Sequence, residues 1–156
     1  MTVFDRLCRL LDDHPVPYSV LEHAPVYTSA EAAAVRGTTL ASGAKALICK
    51  ADESFVMIVM PADCKSASKR VRQTRNWKSL RFATADEVQQ LTSLVPGSIP
   101  PFGSLFQLPT LCDQRLSEQP QINFNAGDHA RSVTMSFTAY EAVERPEQGD
   151  FSDPAS

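Results

Sequence analysis

The chain has 156 residues, of which 43% are hydrophobic and 21% charged, with a formal net charge of −3. This length and composition suit one globular domain with a proper core, and the acidic balance excludes a protein that holds nucleic acid through its overall charge. Four scattered cysteines, Cys8, Cys49, Cys64 and Cys112, show no C-x-x-C spacing and read as reduced core thiols of a cytosolic protein, not as a disulfide framework or a zinc site.

The start, Met1 to Arg6, has no long apolar run and so no secretory signal. No segment reaches the length needed to cross a membrane. The expected setting is soluble and cytoplasmic. Val3, Phe4, Leu7, Leu10 and Leu11 recur at helical spacing, with Thr2 as cap and His14-Pro15 as the stop. Val16 to Leu21 reads as a strand. Thr28-Ser29-Ala30-Glu31 is a capping box ahead of an alanine-rich helix that Gly37 ends. A helix start of this kind can face an anion, although capping alone explains the residues.

Gly43 to Lys50 and Phe55 to Met60 are apolar runs bounded by turn residues, as expected of strands buried on both faces. Alternation puts Lys45 on the face of Leu47 and Cys49. An ammonium among apolar neighbours is costly unless it is paired or lies at an opening. A lysine at a strand end with its head in water is the plainer reading.

From Lys65 to Arg81 the composition shifts. Lys65, Lys69, Arg70, Arg72, Arg75, Lys78 and Arg81 are seven basic residues in seventeen positions, with no acid among them. Such a segment suits a polyanion, with Trp77 as a stacking surface; a solvated helix face explains it equally. Leu80 to Ala83 is a short strand, and Thr84 with Glu87 caps a helix from Ala85 to Leu91. Pro96 to Gly103 holds three prolines and two glycines, a rigid shaped loop whose backbone can approach a ligand. Ser104 to Leu108, Leu111 to Asp113, Gln121 to Asn125 and Ser132 to Ser136 are expected as strands, with a turn at Ala126 to His129. Thr138 is the expected cap of a last helix through Val143. Residues 146–156, rich in Pro, Glu, Gly, Asp and Ser, are expected to be a disordered tail to a domain at 1–145.

His14, His23 and His129 are far apart and share no ligand spacing, so no metal site is expected. Neither a G-x-S-x-G elbow nor a P-loop is present. What remains is a cleft rimmed by Lys45, the Thr28 helix start, the Pro-Gly loop and the Asn125–His129 turn. It offers a cation, backbone amides and an imidazole, a set that can stabilise an oxyanion without a protein nucleophile.

In order, the chain carries Thr28-x-x-Glu31, Gly43-Ala44-Lys45-Ala46-Leu47, the basic segment, Leu80-Arg81-Phe82-Ala83 leading into Ala85-Asp86-Glu87-Val88, then Gly97-Ser98-Ile99-Pro100-Pro101-Phe102-Gly103 and Asn125-Ala126-Gly127. This series resembles the YbaK-like aminoacyl-tRNA editing domains, relatives of the insertion domain of bacterial prolyl-tRNA synthetase. It covers roughly residues 3–144, and it is the order and spacing of the lysine motif and the G-x-x-x-P-F-G loop that make it specific. The resemblance implies an α+β fold, a mixed and mostly antiparallel sheet curled toward a barrel and surrounded by helices. It implies a free-standing trans-editing deacylase that hydrolyses the ester of a wrong amino acid (alanine, cysteine, serine or threonine) on tRNA for proline.

By the same resemblance Lys45 is the active-site residue, touching the terminal adenosine phosphate or the reacting carbonyl. Thr28, Gly97, Ser98, Pro101, Phe102, Gly103, Asn125, Gly127 and His129 are the expected substrate-binding residues, with the Gly97–Gly103 loop closing over the aminoacyl group. The expected contacts to the tRNA are Lys65, Lys69, Arg70, Arg72, Arg75 and Lys78. Water is the implied nucleophile, helped by a ribose hydroxyl, with no cofactor and no metal. The implied partners are the acceptor end of aminoacyl-tRNA and prolyl-tRNA synthetase. The basic segment runs denser, through Arg75 and Lys78, than the family leads one to expect. A sorting role for His129, and any role for His23, stand beside the reading of ordinary turn histidines. The alternatives are a tRNA- or nucleotide-binding module without turnover and a Schiff-base lysine enzyme.

Overall fold

The computed structural model describes residues 1–155. Helix α1 spans Val3–Asp13, and Thr2 and Asp5 close a reciprocal capping box at its start. Its apolar stripe, Val3, Leu7 and Leu11, is buried. Strand β1 (Tyr18–Glu22) follows, then α2 (Ser29–Arg36), capped by Thr28 and ended by Gly37 in the left-handed region. A turn of 3-10 helix at Leu40–Ser42 delivers the chain to β2 (Ala44–Ala51), which pairs antiparallel with β3 (Ser54–Pro61).

β2 and β3 are buried on both faces, as their unbroken apolar runs imply. Ala44, Ala46, Ile48, Met57 and Val59 face the main core with the α1 stripe. Cys49, Val56, Ile58 and Met60 face a second, smaller core with Val71, Leu111 and Phe151. β4 (Cys64–Ser66), α3 (Ser68–Thr74), β5 (Leu80–Phe82) and α4 (Ala85–Thr92) come next, α4 opened by the Thr84–Glu87 capping box. The last third holds β6 (Thr110–Asp113), β7 (Gln121–Asn125), β8 (Arg131–Ser136), α5 (Phe137–Glu144), β9 (Glu147–Gly149) and β10 (Ser152–Pro154).

The fold is α+β. A five-stranded sheet runs β5-β2-β3-β6-β9, antiparallel about β2 and parallel from β3 to β9. A three-stranded antiparallel sheet runs β1-β8-β7, and β10 pairs with β4. A single parallel bridge, Gly43 to Asn123, links the two larger sheets. Among the described residues the sheets meet at this bridge without closing a barrel.

Three local expectations change. Residues Gly103–Phe106 form a 3-10 helix where a strand was expected. Leu108 N–H bonds back to Gly103 O at 2.9 Å, which turns the chain instead of extending it. The cap of α5 is Ser136, whose hydroxyl accepts from Ala139 N at 3.0 Å, so Thr138 already lies in the first turn.

The expected disordered tail is ordered as β9 and β10 over residues 147–154, against its composition, and its last residue, 156, lies outside the described residues. Buried Asp113 accepts from Phe151 N at 2.7 Å, and the Phe151 ring fills the second core. Arg70 pairs with Asp150 and Asp153 at 3.1 and 2.9 Å. One aromatic anchor and acids matched to a basic helix hold a segment whose average composition is polar.

Candidate active site

Gly43 leads into β2 at a close approach of the backbone to its neighbours. A Cβ there would lie 3.0 Å from Ala62 Cβ and 3.3 Å from Leu40 O. This close approach lets the first residues of β2 form one wall of a cavity of about 180 Å³. α2 supplies the facing wall, and the start of the Pro-Gly loop and the end of β7 close the sides. Of the residues expected at the site, the structure brings together Lys45, Thr28, Gly97, Asn125 and His129.

Lys45 is half-buried, and its ammonium donates to the Cys64 carbonyl. Desolvation lowers its pKa from the ordinary lysine value, and nearby Cys64 and Asp63 partly oppose this. It is a cation at the cavity wall with a backbone carbonyl as its partner.

Thr28 lines the cavity as a cap. Its hydroxyl accepts from Glu31 N at 3.1 Å, while Glu31 Oε1 accepts from the amides of Tyr27 and Thr28 at 3.2 and 3.1 Å. These amides hold the Glu31 carboxyl below its usual range. The helix start thus carries its own carboxylate.

His129 stands against Tyr27, ring centroids 4.9 Å apart, and its Nδ1 is buried without a hydrogen-bond partner among the described residues. Tyr27 is 72% exposed at the rim.

Ser98 to Gly103 do not close over the cavity. All six are buried. Phe102 packs edge-on to Phe124 and Tyr140, centroids 5.7 and 5.0 Å apart, and Tyr140 OH donates to Pro101 O at 2.7 Å. Gly103 N donates to Thr110 Oγ1 at 2.9 Å, and a Cβ at Gly103 would collide with Thr110 and Leu108. Ser98 and Phe102 amides are likewise used within the loop. The loop is a pillar under the cavity, not a lid, because three prolines stiffen it against the core. Only Gly97 and Ile99 of the loop reach the lining, and their amides have no acceptor among the described residues. Gly127, at φ +99°, lies against Phe4 at a different surface.

The sequence reading missed Arg36, at the last turn of α2. It lines the cavity, and Asn125 Oδ1 accepts from its Nη2 at 2.9 Å while Ser132 Oγ accepts from its Nε at 2.8 Å. Burial lowers its pKa to about 10. No ion pair among the described residues includes it. Asn125 Nδ2 in turn donates to Gly97 O at 2.7 Å, so Asn125 straps α2 to the loop. His23 Nε2 lies 2.9 Å from Ser132 Oγ, and its Nδ1 lies 2.8 Å from Ala24 O. A carbonyl only accepts, so His23 carries its proton on Nδ1 and accepts from Ser132 through Nε2. An arginine eight residues after a helix cap gives no motif; the buried face of α2 was the only available signal.

Three of the seven basic residues of the segment are neutralised. Arg70 meets Asp150 and Asp153, Arg75 is bidentate to Glu147 and lies over Trp77, and Arg81 pairs with Glu87. Arg72 donates to Lys78 O at 3.4 Å. Lys65, Lys69 and Lys78 remain exposed, with no acid within ion-pair distance among the described residues. Trp77 packs partly into the second core, so it is no open stacking face.

No thiol competes as nucleophile. Burial pushes Cys49 and Cys112 up to about 12, and Cys64 is raised as well. No group of three or more metal-ligating residues occurs among the described residues. The cavity lining contains two cations, an imidazole and free amides, and no carboxylate. That arrangement suits an anionic substrate whose reacting group gains negative charge.

The comparisons with known proteins specify the class. Residues 23–142 match the model of the aminoacyl-tRNA editing domain. The Multifunctional Ser/Thr-tRNA deacylase ProXp-y of Escherichia coli K12 is 31% identical over 151 residues, 94% of this chain and 90% of that one. The prolyl-tRNA editing protein ProX of Acetoanaerobium sticklandii is 23% identical over 147 residues, 90% of each chain. A crystal structure described as a candidate trans-editing enzyme for prolyl-tRNA synthetase shares the fold, with a TM-score of 0.87 at 20% identity over 98% of both chains. The chain belongs to the aminoacyl-tRNA editing domain family. It is an enzyme of the hydrolase class, an aminoacyl-tRNA deacylase.

Proposed function

We propose that the chain clears tRNA for proline that carries a wrong small amino acid (alanine, cysteine, serine or threonine), with serine and threonine foremost. The observation that carries this reading is a small cavity with two cations and no carboxylate in its lining. An RNA 3′ end brings the negative charge, and a small aminoacyl group suits a cavity of about 180 Å³. The orphan Nδ1 of His129 gives a side-chain hydroxyl a partner. A site built to bond a hydroxyl discriminates strongly against substrates that lack one. The names of the E. coli and A. sticklandii relatives point the same way.

In this reading Lys45 holds the 3′ end by its charge. Water adds to the ester carbonyl carbon, and the oxyanion forms against the free amides of Gly97 and Ile99. Collapse of the tetrahedral intermediate breaks the bond to the ribose oxygen and frees the amino acid. With no carboxylate in the lining, the water's proton passes through the neighbouring ribose hydroxyl to the departing oxygen. Preorganised donors of this kind each contribute roughly 10²–10³-fold in rate. Lys65, Lys69 and Lys78 take the acceptor stem, and prolyl-tRNA synthetase is the partner from which mischarged tRNA arrives.

The test is a deacylation panel of alanyl-, cysteinyl-, seryl- and threonyl-tRNA for proline, with prolyl-tRNA as control. Seryl- and threonyl-tRNA should be cleared fastest and prolyl-tRNA spared. Lys45→Ala should slow hydrolysis at low substrate concentration by roughly 10–100-fold, through KM. If Lys45→Ala clears every substrate at the wild-type rate, Lys45 is not the active-site residue.

A further inference from the structure

We infer that Arg36 is the second cation of a phosphate subsite and holds the phosphate of the 3′-terminal nucleotide together with Lys45. The inference rests on the editing reading, but it stands on a separate observation. Arg36 is a part-buried guanidinium with neutral partners only: Asn125 accepts from Nη2, Ser132 accepts from Nε, and no carboxylate pairs with it among the described residues. Buried cations are otherwise paired. The anion that belongs here therefore comes with a ligand.

The geometry says where that ligand sits. Two of the three guanidinium nitrogens are fixed by Asn125 and Ser132, which sets the plane of the group. The third, Nη1, has no acceptor among the described residues and lies 3.9 Å from the position a Cβ would take at Gly43. Gly43 is extended and directly precedes β2, so it shares a face with Lys45 two residues on. Gly43 therefore puts no side chain between Nη1 and the Lys45 wall of the cavity.

The kind of anion follows from when the charge is needed. Arg36 is a permanent cation, immobilised before substrate arrives. A phosphodiester is a permanent anion, present in the bound substrate and in the transition state alike. A guanidinium matches phosphate oxygens better than an ammonium does. Such an interaction is uniform binding and appears in KM, whereas one made only to the oxyanion appears in kcat.

The first measurement is calorimetric binding of adenosine 5′-monophosphate and of adenosine to the full chain. Wild type should prefer the monophosphate by roughly 10–100-fold, the range for a hydrogen bond to a charged group. Arg36→Met should abolish that preference, and Arg36→Lys should keep part of it as a point charge. Asn125→Asp keeps the guanidinium but sets a carboxylate against it, and should lose the preference likewise. It serves as the second variant if Arg36→Met melts below the assay temperature. In deacylation, Arg36→Met should raise KM with kcat within about twofold.

A wild type with no preference for the monophosphate overturns the inference. So does an Arg36→Met protein that keeps the preference, or one that loses kcat at constant KM. A wild type that hydrolyses no aminoacyl-tRNA but shows the Arg36-dependent preference sinks the editing reading and supports the subsite.

Discussion

Tyr140 donates its phenolic hydrogen to the carbonyl of Pro101 at 2.7 Å, deep in the main core. Burial drives the phenol pKa well above its ordinary value, so the hydrogen stays in place. Tyr140→Phe leaves the Pro101 carbonyl buried and unpaired and should cost about 1–3 kcal/mol. Phe102→Ala, at the centre of the same aromatic cluster, should cost about 3–5 kcal/mol. Urea unfolding of the two variants measures both. Equal midpoints for Tyr140→Phe and wild type would show that the bond does not anchor the loop.

The acids of the last segment set how much positive charge α3 offers. Glu147→Gln with Asp150→Asn should release Arg75 and part of Arg70. RNA affinity should then rise, and the slope of its logarithm against the logarithm of salt should steepen by about one for each new phosphate contact. An unchanged slope means that this face does not meet the RNA.

The thiols give a check on the two cores. Cys49 and Cys112, buried and pushed up to about 12, should resist a thiol reagent at neutral pH in the native protein. Cys8, half-buried with its pKa raised by desolvation, should react first but slowly. Counting labelled thiols before and after adding denaturant separates the classes, and fast labelling of Cys112 would contradict the packing of the main core.

Glu87 gives the fold an acid limb. The Arg81 guanidinium first, then the Thr84 amide, hold its carboxyl at about 2, below its usual value of 4.5. The folded pKa is depressed, so the stabilisation is complete above 4.5 and is lost as pH falls toward 2. Glu87→Gln should flatten the fall in stability over that window. A fall of unchanged steepness would assign it to other carboxylates.

Much of this was readable in the chain because each element carried its own signal. The capping boxes at Thr28 and Thr84 and the double-faced apolar strands around Lys45 act over a few residues. So does the turn before β8. The errors share a different cause. Order in the last segment depends on Asp113 and on Arg70, some forty and eighty residues away in sequence, and composition averages such pairings out. The Pro-Gly loop was read as a lid but packs inward, since prolines and glycines do not say which side of a loop faces solvent. Phe102 between Phe124 and Tyr140 decides that. Arg36 was passed over because its meaning lies in what it lacks, a carboxylate partner, and a missing contact leaves no mark in a sequence.

The lone bridge between Gly43 and Asn123 has a consequence for how such a pocket changes its choice of cargo. One jaw of the cavity, bearing Lys45, rides on the five-stranded sheet, and the other, bearing Asn125, rides on the three-stranded one. The gap between the jaws depends on the angle at which the two sheets meet. That angle is set behind the cavity, where Ala44 and Ala46 pack in one core with Ile122 and Phe124. A methylene added or removed at Ile122 or Phe124, neither of which lines the cavity, changes the aperture while every lining residue stays the same. Two such proteins with identical linings can therefore admit different amino acids.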